Sequence, residues 1–292
     1  MERVTGVSCT VGESPTWSAA DAAWYWVDIP AKRVWRLDGS SGATRYWEAS
    51  EMVACVAGKA GGGVIAGMET GIFSLELGEA QAAVQTMLAA PASGLGAGMR
   101  FNDGRCDRQG RFWSGTMFMD MAAALAVGEL YRYDAARGIS APMVSELITQ
   151  NGLAFSPDGR TMYLSDSHPS RRLVWAFDYD IDDGVPSGQR VFADMSTYVG
   201  RPDGAAIDSD GCYWICGNDG GCVMRFTPDG KLDRRVDVPM LKPAMCAFGG
   251  KDLDTLMVTS IVSGKPEDAE WGGSVVLLRP GVKGVSETPF GA

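Results

Sequence analysis

Glu13, Asn102, Asn151 and Asp203 each lie nine to eleven residues ahead of a short apolar strand, in motifs that contain glycine or proline. Glu13, Asn151 and Asp203 offer two carboxylates and one amide oxygen, a hard-ligand set that suits one divalent cation and leaves positions open for water or substrate. Such an ion would also relieve the repulsion between Glu13 and Asp203. The plainer alternative is that each caps a turn, as Asp and Asn habitually do. That account serves any one of them better than it serves all of them at matching places. The stretch Arg100-Phe101-Asn102-Asp103-Gly104, with Asp120 further on, adds an arginine, an amide and two more carboxylates. Asp103, one strand residue from Asn102, points to the other face and is expected to order the loop.

Other hydrolytic designs fit poorly. The one histidine, His168 before Pro169, is not accompanied by a Gly-x-Ser-x-Gly elbow and cannot build a multi-histidine zinc site. It reads as a polar rim residue. The glycine-rich runs 58–67 and 94–104 lack the Lys-Ser/Thr end of a phosphate loop and read as turns. Seven cysteines form no C-x-x-C pair, and Cys212, Cys216 and Cys222 read as small core residues.

The elements that must position these side chains are repeats. Short strands start at Trp24, Gly63, Arg111, Thr161, Cys212 and Thr255, at spacings of 39, 48, 50, 51 and 43 residues, and each is followed by a second apolar strand. Gly- and Asp-rich turns such as 107–110, 156–159 and 208–211 close hairpins ahead of them. Many strands are apolar on both faces, Trp24 and Trp26 against Tyr25 and Val27 for example, which calls for sheets covered on both sides. Six units of about four strands predict an all-β, six-bladed β-propeller that occupies 1–292 as one domain. The last unit lacks a fourth strand, so the N-terminal segment is expected to complete it and close the ring. The stretch 119–127 looks helical and is expected to form a lid on the binding face. Oxygens at Asp28, Glu69, Asp120, Asp166 and Asn218 are expected to converge on the same rim. The tryptophans are expected to pack blades.

With 36 acidic and 26 basic residues the net charge is -10, which repels nucleic acid and anionic membranes. No run approaches the roughly 18 apolar residues of a membrane span. The residues after Met1 carry no apolar leader, and a cytoplasmic monomer is the expectation.

Gly12-Glu13-Ser14-Pro15, Val27-Asp28-Ile29-Pro30, Arg100 to Gly104, Gly115-Thr116-Met117, Asn151-Gly152-Leu153, Pro202-Asp203-Gly204 and Cys246 to Gly250 resemble, in order, the motifs of the regucalcin/gluconolactonase family (senescence marker protein type). The resemblance runs from about Gly12 to Val285. It implies a six-bladed propeller with one divalent metal at its axis and hydrolysis of a sugar lactone, such as xylonolactone or gluconolactone. By motif, the metal would lie on Glu13, Asn151 and Asp203, with Asp203 also the proton acceptor. Arg100, Asn102 and Asp120 would contact substrate, Asp120 standing where the family often has glutamate. The metal's identity stays open among Ca, Mg, Mn, Fe(II) and Zn. A calcium-binding regulator without catalysis is the alternative, and an interaction scaffold would not need the polar convergence.

Overall fold

The structure, a computed structural model, describes residues 1–292. Six antiparallel sheets follow one another along the chain. Blade 1 comprises Gly12–Ser18, Ala23–Asp28, Arg33–Asp38 and Thr44–Glu48, and blade 2 Val53–Gly58, Val64–Met68, Ile72–Glu76 and Val84–Ala89. Blade 3 starts with Met99–Cys106, Phe112–Phe118 and Gly128–Asp134, whose outer edge carries both Gly138–Ile139 and Val144–Leu147. Blade 4 comprises Gln150–Phe155, Thr161–Asp166, Leu173–Asp180 and Val185–Asp194, and blade 5 Arg201–Ile207, Tyr213–Asn218, Cys222–Phe226 and Leu232–Asp237. Blade 6 supplies Pro243–Gly249, Thr255–Ser260 and Val276–Leu278, and its fourth strand is Glu2–Arg3.

This is the expected propeller. The pairing Glu2↔Leu277 and Arg3↔Val276 is the expected closure by the N-terminus. The first strands of neighbouring blades touch all the way round, blade 6 meeting blade 1, so they line the central channel.

Stacking of blades explains why strand faces do not alternate between apolar and polar. All six residues of Ala23–Asp28 are buried, because both faces of the blade meet a neighbour. Trp26, Trp113 and Trp214 are fully buried, and Trp26 stacks on Trp35 at 5.8 Å between ring centroids. Tryptophan is blade packing here, as expected. The cysteines are all buried free thiols.

One expectation needs correction. The stretch 119–127 contains a single 3-10 turn, Met121–Ala123, with no buried residue. Its alanines favour helix, but so short a segment without an apolar face to bury cannot offset the cost of nucleation. At the opposite mouth of the channel the C-terminal tail runs from blades 5 and 6 to blades 2 and 3, with Ser209 N donating to Lys283 O at 2.8 Å and Phe290 N to Gly58 O at 2.7 Å. No helix is long and apolar enough to cross a membrane.

Candidate active site

One irregularity recurs in all six innermost strands. Between Glu13 and Thr16, Val53 and Cys55, Phe101 and Gly104, Asn151 and Ala154, Pro202 and Ala205, and Pro243 and Cys246, the inner strand holds one residue more than its partner. A bulge of this kind twists the strand and re-aims the side chains around it. Ser14 and Gly152, the residues just inside the bulges of blades 1 and 4, are left-handed at φ +53° and +63°. A Cβ on Gly152 would come within 2.6 Å of both the Ser165 hydroxyl and the Tyr213 hydroxyl, so this turn needs glycine. Ser14 is held in the same conformation by Val56, whose N–H donates to its Oγ at 2.8 Å.

The bulges refine the expected equivalence. Glu13 and Asn151 are the last paired residues before their bulges, whereas Asn102 and Asp203 lie one residue inside theirs. The four therefore share one rim of the channel rather than one register position. The bulges of blades 2 and 6 carry Ala54, Ala244 and Met245, so the polar side chains come from blades 1, 3, 4 and 5.

Asn151 and Asp203 are each 4% exposed, and Glu13 is partly open. Burial pushes the Glu13 carboxyl well above the usual carboxylate range; the facing Asp203 and Asp103 push it further, against smaller pulls from the Ser14 N–H and Arg100. Burial also pushes Asp203 up to about 7, although Arg201 and the Asn218 side chain oppose it. Neither acid is neutralised by a basic side chain. Arg201 directs its Nε to Asp219 at 2.9 Å, and Arg100 donates from Nη1 to Phe101 O at 2.8 Å and to Asn102 Oδ1 at 2.7 Å. Asn102 in turn donates from Nδ2 to Gln150 O at 2.7 Å and lies 3.4 Å from Asn151 Oδ1. Asn218 Nδ2 donates to Asp203 Oδ2 at 2.5 Å, leaving Oδ1 of Asp203 without a partner.

Nowhere do three His, Cys, Asp or Glu side chains gather as a metal cluster. A cation at this rim would therefore need the Asn151 carbonyl as a third ligand beside Glu13 and Asp203. The donor chemistry fits: two buried acids lack a counter-charge, and the amide oxygen beside them has only a long contact.

The remaining expectations divide. Asp103 does order the next bulge, its Oδ2 accepting from Leu153 N at 2.9 Å, but it also belongs to the buried acid group, and its Oδ1 has no partner. Asp28 and Asp166 do not converge on the site. Asp28 accepts from Thr10 N and Val11 N, and Asp166 from Ile148 N, Thr149 N and His168 N, all at 2.9 to 3.1 Å. They brace loops. Asp120 is exposed and caps the 3-10 turn, its Oδ1 accepting from Ala122 N at 3.1 Å, so only Oδ2 is free. Sequence reasoning missed Arg201, which binds Asn218 Oδ1 at 3.1 Å behind Asp203. Its place directly before Pro202-Asp203 was the available signal.

A family model described as the SMP-30/gluconolactonase/LRE-like region matches residues 11–262. A 6-deoxy-6-sulfogluconolactonase of Pseudomonas putida is 37% identical over 96% of this chain and 94% of its own length. A pentonolactonase of Haloferax volcanii is 32% identical over 89% of this chain and 84% of its own. Among solved structures, a calcium-binding protein, regucalcin, from Agrobacterium tumefaciens superposes with a TM-score of 0.89 at 26% identity, covering 100% of this chain and 97% of that one.

Proposed function

Because the chain belongs to the SMP-30/gluconolactonase/LRE-like family, we propose that it is a sugar lactonase. It hydrolyses the ring ester of an aldonolactone, of the xylonolactone or gluconolactone type, to the aldonic acid. One divalent cation is held by Glu13, Asn151 and Asp203. The observation that carries this reading is the pair of buried acids, Glu13 and Asp203, both raised in pKa and both without a basic partner, at a rim where an arginine and two amides also point inward. The names of the lactonase relatives support the reaction, and that of the calcium-binding neighbour supports the cation.

Bound there, the cation supplies Lewis-acid polarisation of the ester carbonyl. The Asp203 carboxylate, fixed in rotation by the Asn218 Nδ2 bond to Oδ2, accepts the proton of the attacking water on a lone pair not used for the cation. Arg201 holds Asn218 from behind. Arg100 locks Asn102 against the Asn151 segment, and its remaining N–H groups, which bond nothing in the chain, are directed to substrate oxygens. Asp120 offers Oδ2 to a sugar hydroxyl. Glu13 balances charge. Ca, Mg, Mn and Fe(II) suit this oxygen set, and Zn tolerates it.

The runner-up is a calcium-binding regulator of the regucalcin type, favoured by the same acids. Arg100, Asn102 and Asp120 distinguish the two, because ion storage gives them no role. Proton release measured at constant pH over a panel of aldonolactones, with chelated protein reloaded with single metals, tests the proposal. Turnover with at least one metal is expected; stoichiometric binding without turnover on any lactone would leave the regulator.

A further inference from the structure

We propose that His168 is a positioning residue: it latches the insertion between Phe118 and Gly128 to blade 4 and so sets where Asp120 meets the substrate. This rests on the lactonase reading for its substrate, though not for its geometry.

The insertion has little to hold it. Its 3-10 turn buries nothing, and Met119, Leu125 and Val127 are 39 to 49% exposed. The hydrogen bonds of residues 120–127 to one another and to Met119 are local, such as Ala123 N to Asp120 O and Ala124 N to Met121 O, both at 3.1 Å. Their single hydrogen bond to another blade is the one between His168 Nε2 and Met121 O, at 3.2 Å.

The partners fix the tautomer. Met121 O can only accept, so Nε2 carries the proton and donates to it. Nδ1 must then accept, and it meets Ser170 N at 3.2 Å and Ser170 Oγ at 2.7 Å. A neutral imidazole satisfies all three partners at once. The ring's own backbone is anchored because His168 N donates to Asp166 Oδ1 at 3.1 Å, and Asp166 pairs across the blade with Gln150. Gln150 precedes Asn151 and its carbonyl receives Asn102. The latch is therefore fixed to the same strand that presents a proposed metal ligand, and it reaches outward to the turn that Asp120 caps.

Asp120 has one oxygen committed to that turn, so the direction of the other follows the turn. Seating the turn through His168 therefore fixes where that second oxygen lies. Without the latch the carboxylate stays attached to a segment with no other hydrogen bond to a neighbouring blade, and substrate contact is weakened while the metal ligands and Asp203 are untouched.

The test compares the wild type with His168→Ala and His168→Gln, the latter retaining a side-chain donor of similar reach. Losing a hydrogen bond of this sort is worth about 1.4 kcal/mol, or about tenfold. KM for the best lactone is expected to rise about tenfold in His168→Ala, with kcat and metal affinity near wild type, and His168→Gln to recover most of the loss. Limited chymotrypsin digestion of substrate-free protein gives a readout independent of turnover, since exposed untied loops are preferred cleavage sites. Faster cutting near Met119 and Leu125 is expected in His168→Ala. Wild-type cutting rates in that variant would overturn the latch. Faster cutting with an unchanged KM would overturn the positioning role. A wild type that hydrolyses no lactone would defeat the lactonase reading, while the digestion would still decide the latch.

Discussion

Two sets of buried acids occupy opposite ends of the inner hairpins, and they are treated in opposite ways. At the hairpin turns, Asp107 accepts from the backbone of Gln109 and Arg111, from Arg111 Nε at 2.6 Å and from Tyr179 Oη at 2.6 Å. Asp208, its counterpart in blade 5, accepts from Asp210 N, Cys212 N, Trp214 Nε1 and Arg225 Nε at 2.7 to 3.0 Å. Both are fully buried, and every lone pair is used. At the bulges, Asp203 has one side-chain donor, Asp103 one backbone donor and Glu13 one weak contact to its own neighbour's N–H at 3.3 Å. Burial is alike. What separates the two sets is how many donors meet them, and an unmatched buried carboxylate is stable in its charged form only where something else supplies the counter-charge.

Substitutions at the two ends should therefore fail in different ways. Asp203→Asn, which keeps the shape and removes the charge, is expected to lower kcat/KM by about 10³-fold or more, as loss of a proton acceptor would, and to abolish metal retention. The melting temperature of its metal-free form should stay level or rise. Steady-state kinetics and calorimetry on one preparation would show both. Asp208→Asn is expected to do the converse, costing roughly 3 kcal/mol of stability by breaking a buried ion pair and leaving metal stoichiometry intact in the folded fraction, as followed by denaturant unfolding. Equal loss of metal in both variants would erase the distinction. Asp28→Ala removes the acceptor of two backbone N–H groups at the rim, and should cost about 1–2 kcal/mol with kcat near wild type.

The smallest effect is in pH. The folded metal-free protein holds a proton on Asp203 up to about 7, whereas an unfolded aspartate releases it near about 4. The folded state binds the extra proton in between. Its stability is thus fully present below about pH 4 and is lost as pH rises through 7. A bound cation favours the charged form and reverses this. The gain in melting temperature on adding metal should grow from pH 5 to 8, and a gain independent of pH would mean that the cation binds elsewhere.

Much of this could be read from the chain. Strands Thr161–Asp166, Thr255–Ser260 and Arg33–Asp38 fall where the recurring apolar runs and the turn residues put them, and the missing fourth strand of blade 6 pointed to the N-terminus. The donors around each acid could not be read. Asp28 and Asp203 both sit in Gly/Pro-containing motifs, yet one braces a loop and the other faces the channel, because a one-residue bulge redirects the strand and no local pattern marks it. The helical look of 119–127 misled for a related reason: propensity is local, whereas the face a helix must bury belongs to its surroundings.

The most direct test is the number of divalent cations per chain, measured by equilibrium dialysis and elemental analysis of the wild type, Glu13→Gln, Asp203→Asn and Asp208→Asn. One cation is predicted in the wild type and in folded Asp208→Asn, with none in the other two. A full equivalent retained by Asp203→Asn or Glu13→Gln would contradict the account.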